Sequence, residues 1–166
     1  RLARESVEFY LNRGRVPKKI PDYITDEMKH TKRGVFVSLK KYGDLRGCIG
    51  TIFPATNNVA EEIIRNAVEA AFNDPRFYKV EKEELLDIVF SVDVLTEPEP
   101  SCKEELDPEQ YGVIVRKERK TGLLLPNLES VDTVEKQLLI ALEKAGIKPE
   151  EEYTIERFKV VRYKEH

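Results

Sequence analysis

The run Leu45-Arg46-Gly47-Cys48-Ile49-Gly50-Thr51 sets a thiol and a guanidinium among glycines on what reads as one strand. Side chains of a regular strand alternate between faces at about 3.3 Å per residue, so Arg46 and Cys48 are expected on one face with Cα atoms roughly 6.6 Å apart. A cation so placed favours the thiolate. The same arginine is either an exposed face residue or a bidentate clamp for a carboxylate or phosphate. Gly47 and Gly50 clear space that a bulge, a close backbone or a ligand reaching backbone N–H groups would use. Thr51 closes the run and joins Arg46, Gly47, Cys48 and Gly50 as a candidate ligand contact.

Cys48 has three readings: a small buried apolar residue, a ligand-contacting thiol without chemistry, or a nucleophilic or redox thiol, the candidate catalytic group. A nucleophilic cysteine is usually served by a base, most often histidine, and the chain holds only His30 and His166. His30 reads as a solvated residue ahead of the first strand, and His166 as a frayed terminus. Asp74-Pro75-Arg76-Phe77, after a long helix, is the second unusual cluster. Asp74 paired with an arginine is one account of it; Arg76 as a second anion contact is the other. No pair of Cys or His residues has ligand spacing, so no metal ligand is assigned. Neither GxGxxG nor a P-loop occurs, and the cofactor is left open.

The 28 basic and 31 acidic residues are interspersed over 166 positions, with a net charge of −3, which argues against a dedicated nucleic-acid surface despite the basic run Lys117 to Lys120. Cys48 and Cys102 form neither a disulfide framework nor a zinc motif, so reduced thiols and a cytosolic location are expected. The longest apolar runs, around Leu123 to Leu125 and Leu138 to Leu142, are too short to span a bilayer. The charged content of 36% and absence of Trp resemble the trend of thermophile proteins.

These residues need positioning elements. A first helix is predicted over Leu2 to Arg13, ended by Gly14, and Pro17 and Pro21 then force an extended loop. Gly34 to Lys40 alternates as a half-buried strand, and Tyr42-Gly43-Asp44 turns the chain into the Leu45 run. Pro54 breaks that strand, Asn57 or Asn58 caps a helix carrying Ala60, Ile63, Ile64, Ala67 and Ala71, and Asp74-Pro75 stops it. Ile88 to Leu95 is a third strand, followed by a Pro98 and Pro100 loop. Tyr111 to Arg116 and Gly122 to Leu125 form a hairpin around KERKT. Asp132 with Glu135 starts a helix that ends at Gly146, and Thr154 to Tyr163 returns as one strand. Hairpins dominate over strand-helix alternation, which indicates an α+β fold with a mainly antiparallel sheet flanked by helices.

LRGCIGT at Leu45 to Thr51 after GVFVSLKK, AAFNDPRF at Ala70 to Phe77, and GLLLP at Gly122 to Pro126 before Lys144-Ala145-Gly146 together resemble the AMMECR domain family, named after the candidate region of the AMME contiguous-gene syndrome. The resemblance implies one α+β domain whose smaller second lobe forms a cleft near LRGCIGT. It also implies a microbial link to a Memo-type protein similar to extradiol dioxygenases and to a radical SAM protein. Asn127 stands where many relatives carry Gln, and Ala141 lies near a position often held by Cys. Three functions follow as expectations: an enzyme or ligand-binding protein with an anionic substrate oriented by Arg46 and Arg76; a non-catalytic module docking a protein partner; or LRGCIGT as a folding motif set by tight strand-helix packing.

Overall fold

Helix α1 (Leu2–Arg13) ends where its sequence predicts: Gly14 takes φ 70° and its N–H bonds to Tyr10 O, an αL stop that costs a glycine little. A short helix, α2 (Asp26–His30), is N-capped by the Thr25 hydroxyl. Strands β1 (Val35–Lys41) and β2 (Asp44–Thr51) are joined by Tyr42 and Gly43, both at positive φ (53° and 84°), the turn geometry that matches the twist of a hairpin. Asn58 caps α3 (Val59–Phe72) by accepting from Glu61 N, and the five apolar positions named from its period are all buried. The computed structural model describes residues 1–165; His166 lies outside them.

Two compact units result, one made of Arg1–Val94 with the chain after Val160, the other of Leu95–Val160. In the first, β3 (Ile88–Leu95) pairs with β1, and the strand order is β2-β1-β3-β8, where β8 (Val160–Lys164) is the last strand of the chain. Val35, Val37 and Leu39 on β1 face register partners Val94, Val92 and Phe90, and this row packs with α1 and α3 into the larger core. The opposite face carries Phe36, Ser38 and Lys40 against Asp93, Ser91 and Val89. Arg4 ties the helix layer to the end of the sheet, donating to both oxygens of Glu165 (2.8 and 3.0 Å) and to Leu85 O.

In the second unit, β4 (Glu99–Ser101), β5 (Gly112–Lys117), β6 (Lys120–Leu124) and β7 (Thr154–Phe158) form an antiparallel sheet of order β4-β7-β5-β6. Helix α4 (Val134–Ala145) contributes Leu138, Ala141 and Leu142 to a core with Val113, Val115 and Leu124. The fold is therefore α+β with two antiparallel four-stranded sheets and helices.

Four sequence expectations are corrected. The α4 cap is Thr133, accepting from Lys136 N, one residue after Asp132. The KERKT turn shortens to Glu118-Arg119, because pairing continues to Lys117 opposite Lys120. Pro98 to Pro100 is not all loop: Glu99–Ser101 pairs with β7 as an edge strand, where Pro100 needs no donor on its open side. The predicted strand from Thr154 to Tyr163 is divided at Lys159, its halves joining different sheets. β-Propensity marks both halves alike; the open edges of β5 and β3 decide where each one pairs.

Candidate functional site

Strand β2 does not keep the alternation that its sequence suggests. Leu39 pairs with Gly47 but Lys40 pairs with Leu45, so Arg46 is the extra residue of a β-bulge. The bulge turns Arg46 to the side of Leu39 and Lys41, while Cys48, opposite Ser38, stands on the other face. The expectation that Arg46 and Cys48 share a face is thereby overturned.

Arg46 is held within the protein. Its Nε and Nη2 donate to the two oxygens of Glu84 (2.9 and 3.0 Å), and Nη1 donates to Tyr78 O at 2.8 Å. Glu84 also accepts from Lys41 Nζ and from Glu81 N. The guanidinium beside it, with these added donors, lowers the Glu84 pKa from 4.5 to about 2. A depressed folded-state pKa contributes stability that is present above the unfolded value and lost as pH falls through the folded one. Glu84→Gln is therefore expected to flatten the loss of stability between pH 4.5 and about 2, read from urea midpoints against pH. An unchanged acid limb would refute this.

The AAFNDPRF and LRGCIGT segments meet as one construction. Asp74 is buried (4% exposed), and its Oδ2 accepts from Cys48 N at 3.0 Å. Arg76 donates through Nη2 to Asp74 Oδ2 at 2.8 Å and to Cys48 O at 3.2 Å. Since β2 is the edge of its sheet, the Asp74–Arg76 pair satisfies the outward N–H and C=O of Cys48 as a further strand would. The arginine holds the Asp74 carboxyl far below the usual carboxylate range, helped by the Cys48 and Arg76 amides. The Asp74 partnership read from sequence is observed, and Arg76 is its arginine.

The two glycines make room for the protein's own atoms. A Cβ at Gly47 would sit 2.3 Å from Ala70 O in the last turn of α3, and one at Gly50 would enter the ring of Phe36. Thr51 donates its hydroxyl to Glu62 and accepts from Asn66 Nδ2 at 3.0 Å. Glu62, fully buried, also accepts from the N–H groups of Ala55 and Thr56 and from the Thr56 hydroxyl, so four donors solvate its carboxylate.

Cys48 is half-buried, its Sγ 3.2 Å from Ser38 Oγ, and Ser91 follows in the same cross-strand row. In the next row Asp93 takes both Nε and Nη2 of Arg162 (2.8 and 2.9 Å). Asp74 and Asp93 respectively raise the pKa of Arg76 and Arg162. Their side chains are 57% and 65% exposed.

The structure thus gathers Gly47, Cys48, Gly50, Asp74 and Arg76 around one stretch of β2 and ties Thr51 to the start of α3, while Arg46 turns away. Glu84, Ser38, Glu62 and Arg162 were missed from sequence, since nothing local in KEELL or in VVRYK signals a partner so distant in the chain. His30 is exposed at the end of α2. Among the described residues no group of three or more His, Cys, Asp and Glu could hold a metal ion, and no helix is long and apolar enough to cross a membrane.

Comparison with known proteins agrees with this architecture. A protein of Clostridium acetobutylicum is 68% identical over 165 residues, which cover 99% of this chain and 35% of that protein, so the chain spans about a third of that relative's length. A Thermotoga maritima protein is 51% identical over 95% of this chain and 92% of its own length. The crystal structure of an uncharacterized protein from Pyrococcus horikoshii is similar with a TM-score of 0.82 at 33% identity, covering 99% of this chain and 88% of that one. The AMMECR1 family model matches residues 1–165, and the chain belongs to the AMMECR1 family.

Proposed function

We infer that the chain is an anion-accepting ligand-binding protein whose site is the sheet face at Cys48, with Arg76 and Arg162 as the cations and the Ser38 and Ser91 hydroxyls as neutral contacts. The observation that carries this reading is the half-buried Cys48 on a sheet edge with two guanidinium groups near it in the fold, Arg76 bonded to Cys48 O and Arg162 paired with Asp93 in the next cross-strand row, both with more than half of their side-chain surface in solvent. An ion-paired guanidinium retains outward N–H donors, and a carboxylate or phosphate can take these without breaking the pair. In this reading Arg46, Gly47, Gly50 and Thr51 position the strand, and Asp74 positions Arg76. Cys48 serves as a ligand contact: Asp74, the carboxylate bonded to its N–H, is committed to Arg76 and is a poor proton acceptor.

The test is alkylation of Cys48 followed by intact mass spectrometry in a Cys102→Ser background. Sulfate or phosphate is expected to slow modification in a saturable way, and Arg76→Ala and Arg162→Ala should each weaken that protection by roughly tenfold, the value of one charge-assisted contact. Protection that is absent, or unchanged in both variants, would sink the proposal.

A second reading, a non-catalytic interaction module, draws on one observation: in the Clostridium acetobutylicum relative, the matching segment is accompanied by nearly twice its own length of other chain. The Memo-type and radical SAM proteins of the family resemblance are the partners to try. Co-purification with one of them, alongside a Cys48 unaffected by anions, would favour this reading over the first.

A further inference from the structure

The geometry points to a second ligand site, unrelated to Cys48, in the groove between α1, the proline loop and α3, and assigns to it an amphipathic organic phosphate. The groove encloses about 610 Å³, within the range of small-molecule pockets, roughly 300–1,000 Å³. Leu2, Phe9, Pro17, Pro21 and Ile64 supply an apolar lining, and Arg15, Lys18 and Lys19 supply positive charge. From Phe9 to Pro21 the chain carries Arg13, Arg15, Lys18 and Lys19 and no acidic residue, a local excess in a protein of net charge −3.

The polar groups on the inner side are already satisfied. Glu5 accepts from Arg1 Nε at 2.8 Å and from the Tyr23 hydroxyl at 2.6 Å, and the Ser6 hydroxyl donates to Leu2 O. The cations differ: Arg15 stacks over the Phe9 ring at 5.0 Å, and among the described residues no carboxylate pairs with Lys18 or Lys19. Burying apolar surface here draws in an apolar or aromatic group, while three uncompensated cations select an anion at its end. Phosphate suits the arrangement because its several oxygens can bridge a guanidinium and two flexible ammonium groups at once. Lys18 and Lys19 flank neither a buried ion pair nor a turn that needs them, so no structural duty explains both.

The probe is 1-naphthyl phosphate, titrated into ¹⁵N-labelled full chain by NMR. Shift changes are expected on Phe9, Lys18, Lys19 and Ile64, with binding weakened roughly tenfold or more in a Lys18→Glu/Lys19→Glu variant, as loss of charge-assisted contacts implies. Circular dichroism and an unchanged melting temperature establish that the variant is folded. Equal binding of 1-naphthalenemethanol would overturn the assignment by removing the anion; equal binding of inorganic phosphate would do so by removing the apolar part. Competitive displacement by poly-L-glutamate would make the groove a docking site for acidic polypeptide instead, and the absence of any shift would leave no site. The Cys48 protection assay on the same variant separates the two sites, since charge reversal here should leave it unchanged.

Discussion

Replacing Gly47 by alanine is expected to destabilise the protein by about 3 kcal/mol, the upper end of ordinary overpacking. The added methyl would stand 2.3 Å from the carbonyl oxygen of Ala70 and 3.2 Å from its carbon, and both belong to helix backbone rather than to a side chain that can swing aside. Relief requires moving the last turn of α3 away from β2, which carries Ala70, Ala71 and Phe72 out of the core. For a chain of this size each kcal/mol lowers the melting temperature by roughly 2–4 °C, so a fall of about 6–12 °C follows. Gly43→Ala is the control. Nothing lies within 4 Å of its Cβ position, and φ of 84° leaves only the left-handed penalty of about 1–2 kcal/mol. Ala70→Gly should not rescue Gly47→Ala, because the clash is with the oxygen. Urea midpoints of the three variants decide the matter, and a Gly47→Ala loss no larger than that of Gly43→Ala would refute it. Gly122 repeats the device in the second unit, where a Cβ would stand 2.1 Å from Ala141 O, and should respond alike.

Asp74→Ala is expected to cost about 2–3 kcal/mol, the range for removing a buried charged hydrogen-bond acceptor. The change strands the Cys48 N–H at the sheet edge and frees Arg76 from the contact that aims it at Cys48 O. The value stays below the 3–5 kcal/mol of a fully buried broken pair because the Arg76 side chain, 57% exposed, regains water. The pH dependence provides a second readout. The Asp74 pKa is lowered, with Arg76 as the main cause, so its contribution is complete above the ordinary aspartate value and is lost as pH falls below it. Asp74→Ala should remove that part of the acid limb. Arg76→Ala keeps the Cys48 and residue-76 amide contacts, so it should shift the limb to higher pH, since the carboxyl then titrates nearer its ordinary value. Amide exchange at Cys48 should rise in Asp74→Ala; if it stays protected with stability unchanged, the edge account is wrong.

Both predictions bear on how the LRGCIGT run is understood. Of its expected ligand contacts, Gly47 accommodates Ala70 O, Gly50 lies under Phe36 and Thr51 is bonded to Glu62 and Asn66, so three positions have structural duties. Arg46 has one too, through Glu84. Cys48 is the remaining member, its Sγ 3.2 Å from the neutral Ser38 hydroxyl, and the proposed anion site gathers around it.

Much of the fold was legible along the chain. Gly14 and Gly146 stop helices at αL residues, Tyr42-Gly43 turns a hairpin and the period of α3 marks its buried face, because each signal acts within one turn or one pleat. Even so, the alternation of β2 misled at one residue. Gly47 and Gly50 made a bulge one of several readings, but that Arg46 is the extra residue is decided by the pairing of β2 with β1.

By itself, then, the sequence determined the three longer helices, the hairpins, the family resemblance and the stretch of strand around which the unusual residues gather. Only the tertiary structure decided which acids Arg46 and Arg162 meet, Glu84 and Asp93, and which of the two sequence accounts of Asp74 and Arg76 holds. Arg46 and Glu84 are 38 positions apart and Arg162 and Asp93 are 69. Helix and turn preferences are short-range and can be read locally, whereas an ion pair forms wherever packing brings opposite charges together out of water. That is why the arginine bonded at Cys48 is Arg76, and why Arg46, two residues away in the chain, faces the other side.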